Sequence, residues 1–111
     1  MKALSVAVLV SALVVFITCG PVSAQDTAAG KAVYSKKCQS CHAAAGAGNP
    51  AMANALKVEF KALGADDIQK KSDADLKKVS TDGMGKMKPL TGLMPADVDN
   101  VVAYLRSLKK K

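Results

Sequence analysis

A chain of 111 residues with 16 basic and 9 acidic side chains, net charge +7, has room for one small domain. Such a balance fits nucleic acid, an anionic surface or an acidic protein partner. Tryptophan is absent and aromatics make up 4% of the chain, so no basic stripe interleaved with aromatics is present to bind a single strand.

The first segment reads as an export signal. Lys2 precedes the apolar run Ala3 to Ile17, the helix-breaking Gly20-Pro21 follows, and Val22-Ser23-Ala24 ends on a small residue. A basic start, a short apolar core and a small-residue cut site form a secretory signal, with cleavage expected between Ala24 and Gln25. An uncleaved anchor needs roughly 20 apolar residues, and this core is shorter. A lipoprotein cut before Cys19 is disfavoured by Phe16-Ile17-Thr18, a poor match to the small residues that precede a lipidated cysteine. The division is therefore 1–24 signal and 25–111 mature domain. The mature part keeps 15 basic residues against 9 acidic and no cysteine beyond Cys38 and Cys41. Export argues against nucleic acid, and no stable membrane insertion is expected once the signal is removed.

The mature chain reads as short helices and loops, with no credible strand. Asp26 or Thr27 caps a helix through Lys37, with Ala29, Val33 and Tyr34 near one face. It runs into the cysteines. Gly46, Gly48 and Asn49-Pro50 mark a loop over 43–50. A turn or two of helix fits Ala51 to Val58, and the stretch around Phe60, Leu63 and Gly64 carries no clear period. Ser72 with Asp75 three positions on has the form of a capping box, starting a helix through Leu76 and Val79 that ends near Gly83. Gly83, Gly85, Pro89 and Gly92 make 81–92 a loop. In the last helix Pro95 suits the first turn, Asp97 and Asp99 sit at the positive end and Lys109 to Lys111 at the negative end. Val98, Val101, Val102, Leu105 and Leu108 form its apolar stripe.

Cys38-Gln39-Ser40-Cys41-His42 carries the chemistry. Two thiols three positions apart can each add to one vinyl group of a porphyrin, and the adjacent imidazole can then ligate its iron. This spacing is the attachment signature of c-type haem. A thioredoxin-like redox pair would need a βαβ setting, and a zinc site would need further ligands. His42 is the only histidine of the chain, so a second axial ligand falls to a thioether, which favours the reduced iron. Met52, Met84, Met87 and Met94 all survive signal removal.

The mature chain resembles the class I bacterial monohaem cytochromes c over nearly its whole length. Gly30 and Tyr34 match the Gly-x-x-x-aromatic pattern of the family's first helix, Val102-Ala103-Tyr104-Leu105 its last helix, and Gly85-Lys86-Met87-Lys88-Pro89 its axial-ligand loop. The resemblance implies an all-α cytochrome c fold of about four short helices around one covalent haem c. The first and last helices would cross closely at Gly30, with the aromatics packed there. It implies Met87 as axial ligand ahead of Met84 and Met94, Met94 looking like a substituted helix cap. It also implies that Pro50 offers its carbonyl to the His42 ring.

The function implied is one-electron carriage by a periplasmic or otherwise extracytoplasmic monomer. With both axial positions filled by protein, no enzymatic step is expected, and no acid–base constellation is available for one. Lys86 and Lys88 flank Met87, where they could steer docking to acidic redox partners. A haem-based ligand sensor, a peroxide-handling protein or a subunit of a larger oxidoreductase is the alternative, and the first two require an iron position that methionine does not hold.

Overall fold

In the computed structural model, residues 25–110 are described. Residues 1–24, read above as an export signal and including Cys19, lie outside them. Six helices follow in chain order: α1 Thr27–Lys37, α2 Gln39–His42, α3 Pro50–Leu56, α4 Asp66–Gln69, α5 Asp73–Asp82 and α6 Pro95–Ser107. Among the described residues the only β feature is an isolated bridge between Met84 and Met87. The fold is all-α, as expected. The two helices beyond the expected four, α2 and α4, are single turns.

The long helices begin where their caps dictate. Asp26 accepts from the Ala29 amide at 3.0 Å and opens α1, while its own amide donates to the Asn100 side chain of α6 at 2.9 Å. Ser72 accepts from the Asp75 amide at 3.1 Å and opens α5, which stops at Gly83 with φ +76°. At the start of α6 the Met94 thioether provides no cap. The Asp97 carboxylate reaches back instead, accepting from the Met94 amide at 2.9 Å. Asp97 thus supplies the carboxylate half of a capping box and adds negative charge at the helix's positive end.

The core forms where α1 meets α6. Tyr34, Val101, Tyr104 and Leu105 make one buried cluster, packed by Val33, Cys38, Leu63 and Leu108. The two tyrosine rings lie 5.0 Å apart at a 57° tilt, within the range of favourable aromatic pairs. Leu76 of α5 and Val98 and Val102 of α6 complete the buried apolar set. Leu56, Phe60, Ile68, Val79 and Leu90 stay only half-buried. These five keep part of their apolar surface in solvent, which leaves surface for a large apolar group to cover.

A polar knot fastens the middle of the chain to α6. Arg106 donates to the Gln69 carbonyl at 2.7 Å, to the Lys71 carbonyl at 2.6 Å and to Asp73 through two nitrogens at 3.0 and 2.8 Å. The Gln69 amide donates to the carbonyls of Leu63 and Leu105 at 2.8 and 2.9 Å. These bonds give 63–73 its course, which no local apolar period could do. No helix of the described residues is long and apolar enough to cross a membrane.

Candidate haem-attachment site

The cysteine motif is a single helical turn. Cys38 breaks the run of α1 at φ −120°, ψ −34°, and its carbonyl then accepts from the amides of Cys41 at 3.2 Å and His42 at 2.9 Å. Cys38, Cys41 and His42 thereby share one turn, each half-buried.

The end of a helix leaves its last carbonyls without partners. Here every one is taken. Gln39 accepts from the Ala43 amide at 2.9 Å, Ser40 from the Asn49 side chain at 3.0 Å, Cys41 from the Asn49 amide at 2.8 Å and His42 from the Gly48 amide at 2.8 Å. The next two carbonyls receive side chains from the helix crossing: Tyr34 donates to Ala43, and Tyr104 donates to Ala44 at 3.3 Å. The loop that follows therefore folds back over the turn and holds it.

Burial sets the protonation of the site. It raises the Cys38 thiol to about 11, with help from the neighbouring Cys41. It lowers His42, favouring the neutral imidazole. Phe60 stands edge-on to the His42 ring, with centroids 5.3 Å apart. Gly48 makes room for it, since a β-carbon there would come within 2.4 Å of the Phe60 Cβ. His42 Nδ1 is buried and has no hydrogen-bond partner. A neutral imidazole is the form that ligates metal, and the two thiols on the same turn can form the thioethers of a covalent haem. No group of three or more His, Cys, Asp or Glu side chains that could hold a separate metal ion occurs among the described residues.

The unpartnered Nδ1 corrects one expectation. Pro50 does not accept a hydrogen bond from His42. It occupies the first position of α3, where fixed φ and a missing N–H cost nothing, and Asn49 caps it by accepting from the Ala51 and Met52 amides at 3.0 and 3.4 Å. Asn49, Tyr34 and Tyr104 hold the site through bonds that the sequence reading did not assign. The Asn-Pro pair was the available signal for the first of them, as a helix start rather than a loop mark.

The methionines separate by exposure. Met84 and Met94 are 65% and 70% exposed, whereas Met87 and Met52 are half-buried. Met87 sits on a two-residue turn closed by reciprocal bonds, its amide donating to the Met84 carbonyl at 2.9 Å and the Met84 amide to its own at 3.0 Å. Gly85 within the turn has φ +57°. Gly83 lets the chain on either side of the turn approach, since a β-carbon there would lie 2.4 Å from the Met87 oxygen. No hydrogen bond joins the Met87 loop to the cysteine turn among the described residues, and the two come from opposite halves of the chain.

Comparison with known proteins agrees with this arrangement. Residues 27–109 match the family described as cytochrome c. Among solved structures, the KustC0563 c-type cytochrome is similar, with a TM-score of 0.64 and 25% identity, over 73% of this chain and 98% of that one. No curated protein matches the chain. The family binds covalently attached haem c and carries electrons, and its match over the crossing helices and the cysteine turn gives the assignment: the chain belongs to the cytochrome c family.

Proposed function

We propose that this protein is a one-electron carrier working outside the cytoplasm, its haem c held by Cys38 and Cys41 and its iron by His42 and Met87. The observation that carries the reading is the Met87 turn: Met87 and Met52 are half-buried while Met84 and Met94 stand out in water, and of the half-buried pair Met87 is the one on a turn closed by reciprocal bonds. The haem supplies the redox couple, and thioether ligation raises its potential. The chain's own residues do the rest. The cysteine turn fixes the attachment points, half-buried His42 offers an imidazole nitrogen, and the Met87 turn presents sulfur.

Residues 1–24 are proposed as a cleaved signal, leaving 25–111 as the mature monomer. Intact mass and N-terminal sequence of the exported protein check the cut after Ala24. Lys86 and Lys88 beside Met87 are exposed and form no ion pair among the described residues, unlike Lys61 with Asp67 and Lys77 with Asp99. They support docking to acidic redox partners.

The test is an optical and redox titration of Met87→Ala beside the parent. The parent is expected to be low-spin with the far-red absorption band of thioether-ligated ferric haem, and the variant to lose that band and fall in potential. A parent with a high-spin ferric spectrum would have an open iron position and would not be a simple carrier.

A further inference from the structure

Ala43, the residue after His42, has φ +62° and ψ 170°. This region is essentially reserved for glycine, and other residues persist there only where the surroundings over-determine them. The surroundings here are the two core tyrosines. Tyr34 donates its hydroxyl to the Ala43 carbonyl, which also accepts from the Gly46 amide at 3.2 Å, and Tyr104 donates to the next carbonyl along. Packing alone would need only phenylalanine at either position. The hydroxyls bond instead to the carbonyls of the two residues that follow the histidine, nine and sixty residues away in sequence.

Resting on the reading of His42 as an iron ligand, we propose that Tyr34 and Tyr104 are positioning residues that lock the strained Ala43 turn and so hold His42 in its orientation. The His42 ring has no hydrogen bond on Nδ1 to fix it. Its setting therefore depends on the edge of Phe60 and on the backbone at each side. Cys38 holds the N-terminal side through the His42 amide, and Gly48 holds the peptide to Ala43 through the His42 carbonyl. Beyond that peptide stands the strained Ala43, and the tyrosines hold its own carbonyl and the next. The helix crossing thereby sets the geometry of the site as well as the stability of the fold.

The test uses the full, haem-loaded protein, with two readouts: the midpoint potential and the haem-methyl shifts in the NMR spectrum of the oxidised form, which respond to the orientation of the axial imidazole. Tyr34→Phe keeps the ring and removes the hydroxyl. It is expected to displace the potential and redistribute the methyl shifts. Adding Ala43→Gly, which adopts the same backbone without strain, is expected to return both towards the parent. The proposal is overturned if Tyr34→Phe superimposes on the parent, or if the double variant stays with Tyr34→Phe. Should Tyr34→Phe fail to take up haem, Tyr104→Phe carries the test by the same criteria, with a smaller displacement expected from its longer bond. A parent lacking a low-spin histidine-ligated spectrum would remove the underlying assignment of His42. A parent that has one, beside an indifferent Tyr34→Phe, would remove only this proposal.

Discussion

A β-carbon on Gly30 would stand 1.9 Å from the carbonyl oxygen of Asn100. The backbones of α1 and α6 thus touch at the one residue that permits it, and everything packed at the crossing depends on that approach. Gly30→Ala sets two effects against each other. Alanine gains about 1 kcal/mol of helix propensity. Overpacking against an immovable peptide costs up to about 3 kcal/mol or more. A net loss of about 2 kcal/mol is expected, read as a lowered denaturant midpoint with an unchanged slope. A variant as stable as the parent would mean that the helices can separate freely.

Asn49 joins two elements with one side chain, capping α3 with its oxygen and holding the Ser40 carbonyl with its nitrogen. Asn49→Ala is expected to cost about 1–2 kcal/mol, roughly 1 for the lost cap and the rest for the bond to Ser40. Asn49→Asp keeps the capping oxygen and loses the donor, so it should fall between the parent and alanine. Thermal unfolding of the three oxidised proteins orders them. Equal loss in both variants would place the whole effect in the bond to Ser40.

The parts of this fold that could be read from the sequence are those specified by neighbours. Asp26, Ser72 and Pro95 start their helices where local chemistry says, and the cysteine turn is legible because its chemistry needs adjacent residues. Helix α4 escaped because Ala65 offers no capping side chain and its course is held by Arg106 and Leu105, more than thirty residues on. The tyrosine bonds escaped for the same reason. Aromatic spacing announces packing, whereas the acceptor of a hydroxyl is decided by tertiary structure. Pro50 can start a helix and still offer its carbonyl to the His42 ring, so its sequence position does not decide the second role; the unpartnered Nδ1 does.

Tyr34 predicts a pH dependence. Its hydroxyl is pushed up to about 12, first by burial and then by Cys38 and Tyr104, against a lowering by the Gly46 amide. Once Cys38 is a thioether it carries no charge, so burial and Tyr104 remain. An acid whose folded value lies above its unfolded value of about 10 stabilises the fold fully below that pH. The contribution is lost as pH rises through the folded value. Denaturant midpoints of the parent should therefore fall above about pH 10, where the unfolded tyrosine ionises first. Tyr34→Phe should start lower, by the roughly 1 kcal/mol of a lost hydrogen bond, and decline less steeply. Parallel curves would show that Tyr34 does not titrate in this window.

Lys86 and Lys88 offer the most direct test of partner chemistry, since neither is tied to an acid within the described residues. Reversing both to glutamate changes the charge beside the Met87 turn by four units and leaves the core untouched. Steering by complementary charge acts on association and weakens as salt screens it over a Debye length of about 10 Å at 0.1 M. With an acidic redox partner at low salt, the double variant should be reduced about tenfold more slowly or worse, within the usual range of steering effects. The two rates should converge as salt is raised. An equal deficit at every ionic strength would point to damage at the Met87 turn, which the far-red band of the same samples would show. Equal rates at low salt would mean that partners approach by another face, and the remaining free lysines of α1, Lys31, Lys36 and Lys37, would then be the next charges to reverse.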